Sequence, residues 1–194
     1  NWQALEATCA ALTRVPLGEL DPASRPRPPV VSAKAPDFVQ TVTAAMLAGL
    51  GDSLPVSAFP PDGTWPVGTT RWEKRNIAKE IPIWEAELCT QCNYCVAACP
   101  HSAIRAKVVE PDALAAAPAT LDALDVKSRD MRGQQYVLQV APEDCTGCNL
   151  CVEVCPAKDR TDPSRKAINM ESRLDHLEAQ KANYDFFLDL PERT

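Results

Sequence analysis

A twelve-residue phrase with four cysteines occurs twice in this 194-residue chain, and no other feature restricts its fold as strongly. Residues 89–100 read CTQCNYCVAACP and residues 145–156 read CTGCNLCVEVCP, so that eight of the twelve positions are identical. In each copy the cysteines are separated by two, two and three residues, and proline follows the last one. Eight of the nine cysteines therefore lie in two short stretches, and the fold has to bring them to common centres.

The spacing C-x2-C-x2-C-x3-C-P is the bacterial ferredoxin signature, and its duplication predicts two 4Fe–4S clusters. A cubane presents four iron atoms that each need one thiolate, and three cysteines in a looping backbone reach three of them. The fourth cysteine is carried away on a short helix, which proline ends, so it serves the other cluster. We assign Cys89, Cys92, Cys95 and Cys155 to cluster I, and Cys145, Cys148, Cys151 and Cys99 to cluster II.

Two other uses of clustered cysteines fit this spacing poorly. A structural zinc ion usually takes two separated pairs of ligands rather than four in one short run. Disulfide partners have Cα atoms ~4.4–6.8 Å apart with facing Cβ vectors, which such crowding does not suit. Iron–sulfur binding is therefore the interpretation, in a reducing compartment. We expect the cytoplasm, or a mitochondrion or another organelle in a eukaryote.

Several residues near the phrases have expected roles. Gly147, Asn93 and Asn149 tolerate left-handed turns that expose backbone N–H groups toward the sulfurs. Such hydrogen bonds, together with burial, help to set the reduction potential. Four apolar side chains are expected to shield the clusters and serve equally as ordinary core: Val96, Ile104, Val152 and Ile168. Three basic side chains either offset the cluster charge or are simply solvated: Arg105, Lys107 and Lys158.

The remaining candidates are given structural roles. Cys9 lies far from both phrases in the sequence and is expected to be a free buried thiol. His101 follows a ligand set that is already full, so it is interpreted as structural, and His176 is placed on the surface of the final helix. Three tryptophans that flank the loops are expected to be packing anchors: Trp65, Trp72 and Trp84.

Charge and missing motifs exclude several functions. The formal net charge of −6 disfavours nucleic acid as a partner, because phosphate binding needs a basic face. No apolar run approaches the ~20 residues of a membrane helix, so no membrane partner is expected. The sequence has no G-x-G-x-x-G fingerprint, no P-loop, no G-x-S-x-G motif and no clear acid–base pair. We therefore predict no catalytic residue on this chain, which is expected to move electrons.

The expected fold class is α+β, with a bacterial dicluster ferredoxin-like core. In this core a cysteine loop, a short helix and a strand are repeated around a pseudo-two-fold axis. Residues 85–170 are expected to form the domain, with an insertion at residues 110–134. Runs rich in β-branched and apolar residues predict its strands at 103–109, 135–140 and 166–170.

The two ends of the chain are expected to lie outside this core. Residues 1–84 are rich in proline, especially at 14–36 and 52–72, and predict an extended, mostly loop segment with one helix at 37–50. So long an irregular tract is expected to wrap around the rest of a larger enzyme. Residues 171–194 predict a C-terminal helix and tail, with Leu174, Leu177, Tyr184 and Leu188 at helical spacing.

Longer stretches of the sequence point to a particular protein family more specifically than the cysteine spacing does. GTTRWEKRNIA at 68–78, IPIWEAELCTQCNYCVAACPHSAIRAKV, VLQVAPEDCTGCNLCVEVCP, KAINM and NYDFFLDLPE occur in this order. Together they resemble the internal ferredoxin-like domain of the pyruvate:ferredoxin (flavodoxin) oxidoreductase family. The resemblance covers about residues 30–194 and carries over eight residues only, the cysteines of the two phrases.

This resemblance implies a place in a larger, homodimeric enzyme. Members oxidise pyruvate with coenzyme A, and they bind thiamine diphosphate, Mg²⁺ and a third cluster on other domains. Electrons would pass through the two clusters here to ferredoxin, flavodoxin or a fused NADP-reducing flavoprotein. The chain is expected to be an excised or separately expressed fragment, which fits its start at Asn1 rather than methionine.

Three alternatives remain open on sequence grounds. The chain could be a free-standing dicluster ferredoxin, against which stand the ~85 proline-rich residues that precede the first ligand and lack a core of their own. It could be a ferredoxin-like module of another redox complex, such as a hydrogenase or dehydrogenase. It could also hold structural clusters, in which case no reversible reduction is expected.

Overall fold

The computed structural model describes residues 1–16 and 29–192, which belong to two units, Asn1–Ala58 and Phe59–Thr194. The first unit contains helix α1 (Trp2–Ala10) and a π-helical turn (Val39–Thr43) that continues into α2 (Ala44–Leu47). The residues predicted as one helix at 37–50 thus form two short consecutive pieces. The proline-rich stretch at 14–36 lies partly outside the described residues.

Helix α1 is a finding that the sequence interpretation missed, and it corrects the interpretation of Cys9. None of the residues of α1 is buried, and Cys9 is exposed rather than buried. The buried residues in the described part of this unit lie later in the chain: Val31, Ala35, Val39, Val42 and Thr43. The predicted apolar stripe of the second helix is only partly buried, because Met46 is 47% exposed and Leu50 is 59% exposed.

Two small antiparallel sheets form the framework of the second unit. Strand β1 (Glu80–Trp84) pairs with β5 (Ile168–Ser172), whose position is two residues later than predicted. Strand β4 (Gln135–Val140) lies between β2 (Ile104–Val109) and the short β3 (Leu124–Asp125). Residues Tyr136 to Val140 are all buried, which explains why β4 occupies the centre of its sheet.

The pairing of strands relates the two cysteine phrases. The first repeat runs β1, phrase, α3 (Tyr94–Ala98), β2, and the second runs β4, phrase, α4 (Leu150–Val154), β5. The first strand of each repeat pairs with the last strand of the other, and α3 packs against α4. A two-fold rotation that exchanged the repeats would therefore exchange the β1–β5 pair with the β4–β2 pair. The core is a mixture of helices and strands arranged as in a dicluster ferredoxin.

Helix α5 (Arg173–Asp189) covers one side of the β2–β4 sheet. Its Tyr184 and Phe187 join Val137 and Val109 in a buried cluster, whereas the predicted stripe residue Leu174 is 75% exposed. Lys107 anchors the end of this helix, since its Nζ donates to the carbonyl of Leu190 at 2.6 Å. The Lys107 side chain is therefore bonded to the end of the helix, and it does not line a cysteine cavity.

Replacing Asn183 on α5 is expected to destabilise the fold. Asn183 is 1% exposed; its Nδ2 donates to the carbonyl of Thr120 at 2.9 Å, and its Oδ1 accepts from the Thr120 hydroxyl at 2.8 Å. Asn183→Ala removes both bonds and leaves buried groups unpaired, at a cost of about 1–3 kcal/mol. Thermal unfolding should show a lower midpoint than in the control Asp185→Ala, whose side chain is exposed on the same helix. Equal midpoints would contradict the expected effect.

Candidate iron–sulfur centres

Each cysteine phrase is a loop in which two residues have left-handed backbone. In the first phrase these are Gln91 (φ +59°) and Asn93 (φ +60°), and in the second they are Gly147 (φ +71°) and Asn149 (φ +64°). They occupy the third and fifth positions of each phrase, and the short helix follows directly. The sequence interpretation included the glycine and both asparagines. It missed Gln91, because glutamine rarely adopts this conformation and only its alignment with Gly147 pointed to it.

The left-handed residue at the third position of each phrase gives a hydrogen bond to the preceding sulfur. The N–H of Gln91 donates to Cys89 Sγ at 3.3 Å, and the N–H of Gly147 donates to Cys145 Sγ at 3.3 Å. A donor placed in this way stabilises negative charge on the sulfur. Both loops therefore hold the sulfur of their first cysteine with a backbone donor, although burial outweighs this donor at Cys145 and raises the pKa of its thiol.

The loops line two cavities that are partly open to solvent, each with about 330 Å³ of empty space. The cysteines around one of them, which we call cavity I, are Cys89, Cys92, Cys95 and Cys155. The cysteines around the other, cavity II, are Cys99, Cys145, Cys148 and Cys151. Each cavity thus receives three cysteines from one phrase and the fourth from the other phrase. The structure brings together all eight of the residues that the spacing singled out.

The isoleucines that line the cavities are exchanged between the two repeats in the same way as the fourth cysteines. Ile168 lines cavity I and Ile104 lines cavity II, while Val96 and Val152 pack on the surrounding core without lining either cavity. The walls differ at one notable position. His101 lines cavity II, and the residue 56 positions later, Ala157, lines cavity I.

Burial changes the acidity of the cysteines. It raises the pKa of the Cys95 thiol to about 11, with repulsion from its cavity neighbours Cys89, Cys155 and Cys92 adding to the shift. It raises the pKa of the Cys151 thiol to about 12, and there the repelling groups include Cys95 of the other cavity. Cys95 lies on α3 and Cys151 on α4, and these helices pack against each other, so the two cavities are adjacent. Four thiolates in one partly buried cavity repel one another and require a positively charged partner such as iron.

The thiols surround the cavities and do not converge on one point. Within residues 1–16 and 29–192, no group of three or more His, Cys, Asp or Glu side chains is arranged to hold a single metal ion. A zinc ion draws its sulfur ligands to about 2.3 Å from one centre. A cubane spreads the same four ligands over four separate iron atoms.

Aromatic and basic groups hold the first phrase in place. The hydroxyl of Tyr136 donates to Asn93 Oδ1 at 2.7 Å, and burial raises the pKa of this phenol, which therefore remains a donor. Lys127 Nζ donates to the carbonyl of Cys89 at 2.6 Å. The Lys127 backbone N–H donates to Gln91 Oε1 at 2.9 Å, and Gln91 Nε2 donates to the Asp125 carbonyl at 2.8 Å. The segment around β3 therefore braces the loop of cavity I.

The tryptophans take different positions. Trp84 is buried in cavity I with its ring 6.0 Å from that of Tyr136 in an edge-to-face contact, as expected for a packing anchor. Trp72 is half-buried with the Arg71 guanidinium 5.4 Å from its ring centre. Trp65 is 41% exposed, with its ring centre 6.2 Å from that of Phe59, and its Nε1 donates to the Thr69 hydroxyl at 3.4 Å.

Other charged residues from the sequence interpretation lie outside the cavity walls. Arg105 donates from Nε to the carbonyl of Ser102 at 3.1 Å, and Lys158 is exposed beside Lys166 in an isolated β-bridge. His176 is half-exposed, with Nε2 2.6 Å from Glu171 Oε2. None of the three lines a cavity in the part of the chain that the structure describes.

Comparisons with known proteins agree with this geometry. The pattern of the 4Fe-4S dicluster domain matches residues 88–158, and a domain of unknown function called EKR matches residues 24–78. A probable pyruvate-flavodoxin oxidoreductase of Escherichia coli K12 is 76% identical over 192 residues, which is 99% of this chain and 16% of that protein. The chain belongs to the pyruvate-flavodoxin oxidoreductase family. Within this family it corresponds to the ferredoxin-like segment.

More distant members give the same result. The pyruvate-flavodoxin oxidoreductase of Nostoc sp. PCC 7120 is 54% identical over 160 residues, 82% of this chain and 13% of that protein. The mitochondrial pyruvate dehydrogenase [NADP(+)] of Euglena gracilis is 40% identical over 157 residues, 81% of this chain and 8% of that protein. The chain thus spans about one sixth or less of the length of these relatives. The predicted family and the two 4Fe–4S clusters are both confirmed.

Among the helices in residues 1–16 and 29–192, none has both the length and the apolar character that crossing a membrane requires.

Proposed function

We propose that this chain conducts electrons through its two clusters inside a pyruvate-oxidising enzyme. The observation that carries the proposal is the pair of equal cavities, each with three cysteines from one phrase and one from the other. Cluster I would be held by Cys89, Cys92, Cys95 and Cys155, and cluster II by Cys145, Cys148, Cys151 and Cys99. No residue on the chain is assigned to bond making or breaking in a substrate.

The residues present fit such clusters in three respects. Each cavity offers four sulfur ligands, and in each the N–H of a left-handed residue already donates to one of them. Cavity I also has an unsatisfied donor in its wall, since the buried indole N–H of Trp84 has no partner among the described residues. Buried N–H groups normally have an acceptor, and a cluster sulfide would supply one. When bound, the clusters supply centres that accept and release single electrons.

The chain's own residues would keep the clusters apart from water while leaving a way in for electrons. Ile104, Ile168 and Leu138 wall the cavities and are at most 2% exposed. Cys92 and Cys148 are exposed, so each ligand set reaches the surface of the chain. One cluster can then face a donor and the other an acceptor, with the pair acting as a relay.

The donor and acceptor are inferred from the names of the relatives. Electrons would come from pyruvate oxidation on other domains, where thiamine diphosphate, Mg²⁺ and a third cluster are expected. The acceptor would be flavodoxin or ferredoxin, or an NADP-reducing flavoprotein fused to the enzyme. We place the protein in the cytoplasm, or in an organelle of a eukaryote, as part of a homodimer.

Exposed apolar side chains favour a segment of a larger protein over a free-standing ferredoxin. The early part of the chain holds the greatest exposure: Trp2 is 80%, Leu12 81%, Val56 89% and Val67 99% exposed. Large side chains of this kind concentrate where another protein surface covers them. We infer that residues 1–84 wrap around the remaining domains. We interpret residues 110–134 as an insertion in the core of residues 85–170, and residues 171–194 as its C-terminal extension.

Cluster assembly tests this proposal directly. Anaerobic reconstitution with iron and sulfide is expected to give about eight irons per chain, because each cubane contains four. Iron and sulfide analysis, with Mössbauer spectroscopy, measures the number and type of clusters. About four irons per chain, or preferential uptake of zinc in place of iron, would contradict the two-cluster assignment.

A further inference from the structure

A short segment that runs into the first residue of β1 lies against the turn that leads into the second cysteine phrase. We call Glu73–Glu80 the EKR strap, because it begins with the residues Glu-Lys-Arg. Lys74 Nζ lies 2.6 Å from Asp144 Oδ2, although the two residues are 70 positions apart. The backbone N–H of Asn76 donates to the carbonyl of Glu143 at 3.1 Å, and its Nδ2 lies 3.3 Å from Glu143 Oε1. The strap is thus bonded to the two residues that precede the ligand Cys145.

The strap also touches the loop of the phrase itself. A Cβ added to Gly147 would lie 3.2 Å from the carbonyl oxygen of Glu80 and 3.5 Å from the Cβ of Ala78. Ala78 is only 3% exposed, so this contact is closed to water. Gly147 is the residue whose N–H donates to Cys145 Sγ. The strap therefore supports the backbone that carries a sulfur hydrogen bond.

Helix α5 holds the strap from its other side. Arg173 Nε donates to the carbonyl of Ala78 at 2.8 Å, and Arg173 Nη1 donates to Asn76 Oδ1 at 3.1 Å. Lys181 Nζ adds an ion pair to Glu143 Oε1 at 3.2 Å. Asn76 itself has left-handed backbone, with φ +54°, which turns the strap toward these partners. The strap is therefore a fixed element between α5 and the loop of cavity II.

The loop of cavity I is held by a different element. Its third residue, Gln91, is equivalent to Gly147 but bonds to Asp125 and Lys127 in the segment around β3. The strap's hydrogen bonds within the described residues reach the turn before the second phrase and do not extend to the first phrase. The two loops, alike in sequence, are thus braced by unrelated parts of the chain.

We propose that the EKR strap is a positioning element for cluster II, with Lys74 and Asn76 as its positioning residues. The inference rests on the ligand sets of the proposed function and gives a role to part of a region matched only by a domain of unknown function. Lys74 also neutralises Asp144, the neighbour of the ligand Cys145. Without this ammonium, an uncompensated carboxylate would stand beside cluster II and make its reduction less favourable.

The test compares two adjacent lysine and arginine replacements in the full reconstituted chain. Lys74→Met and Arg75→Met each remove one positive charge from the strap, but Arg75 is exposed and makes no ion pair among the described residues. Lys74→Met should lower the midpoint potential of cluster II and speed its loss of iron to a chelator on the order of tenfold. It should also shift the contact-shifted proton resonances of the cluster II cysteines only. Arg75→Met should leave all three measurements unchanged.

Two further variants separate positioning from general destabilisation. Lys74→Met combined with Asp144→Asn removes the uncompensated carboxylate and should bring the potential of cluster II back toward that of the parent. Lys127→Met, which loosens the brace of the other loop, should move the resonances of the cluster I cysteines instead.

Equal effects of Lys74→Met and Arg75→Met, or equal shifts at both clusters, would overturn the role of the strap. If the Lys74 variant fails to fold, Asp144→Asn alone tests the proposal. This variant should raise the midpoint potential of cluster II and leave that of cluster I unchanged. An unchanged potential of cluster II in Asp144→Asn would overturn the proposal. A parent chain with fewer than two clusters would instead contradict the proposed function before any variant is compared.

Discussion

Cys99→Ser is expected to remove cluster II and spare cluster I, so that the iron content falls from about eight to about four per chain. Cys99 follows the helix of the first phrase, yet it lines the cavity that the second phrase surrounds. In the proposed assignment, a serine at this position removes one of the four sulfur ligands of cluster II and none of cluster I. Iron analysis, together with the contact-shifted resonances of the remaining cysteines, shows which cluster survives.

The reciprocal variant makes the exchange of ligands testable in both directions. Cys155→Ser should remove cluster I and spare cluster II, because Cys155 lines the cavity of the first phrase. Cys9→Ser is the matched control, since this exposed cysteine belongs to neither phrase and its loss should leave about eight irons. Loss of cluster I alone from the Cys99 variant would show that each phrase holds its own fourth ligand.

Gly147→Val is expected to have the second large effect, the loss of cluster II together with a lower unfolding midpoint. The backbone φ of Gly147 is +71°, and a left-handed conformation costs an ordinary residue roughly 1–2 kcal/mol. The new Cβ would also approach the Glu80 carbonyl oxygen to 3.2 Å, and the branched side chain extends further. Relief requires the loop to move away from β1, which displaces the sulfur of Cys145.

Gly133 provides the control for backbone strain alone. Its φ is +86°, but nothing lies within 4 Å of an added Cβ. Gly133→Val should therefore lower the unfolding midpoint and still assemble about eight irons. Iron analysis and thermal unfolding of both variants give the comparison. If Gly133→Val lost a cluster, or if Gly147→Val kept both, the close contact of the strap with the loop would have no role in assembly.

Local sequence was sufficient where the structure depends on local chemistry. The spacing of the cysteines predicted which residues line the same cavity, because the loop and the short helix fix where each thiol points. The strands at 104–109 and 135–140 were recognisable from their β-branched and apolar residues. The left-handed asparagines were expected because their side chains tolerate that conformation.

Contacts between distant parts of the chain were the ones that the sequence did not reveal. Strand β1 was missed because its sequence EIPIW contains Pro82, and proline usually argues against a strand. Proline is tolerated here because β1 is paired on one side only. The ion pair of Lys74 with Asp144 has no local signature at all. The expectation that Cys9 is buried was wrong. It rested on the general tendency of free cysteines to be buried, whereas the helix that carries Cys9 has no buried residue.

The different braces give the two clusters different electrostatic surroundings. Lys127 holds the loop of cavity I, and a neutralised pair of Lys74 with Asp144 borders the loop of cavity II. Reduction potentials of such clusters respond to hydrogen bonds, charge and exposure. Residues outside the repeated phrases can therefore give the two clusters different reduction potentials.

An anaerobic redox titration followed by electron paramagnetic resonance tests the central claim, that this chain is a two-cluster electron relay. Two reversible one-electron steps are expected, within the range of about −700 to +450 mV seen for iron–sulfur clusters. Because α3 and α4 carry cysteines of the two cavities and pack against each other, the fully reduced protein should show the altered signal of two interacting spins. Clusters that cannot be reduced reversibly, or a fully reduced protein with the signal of one isolated spin, would contradict the claim.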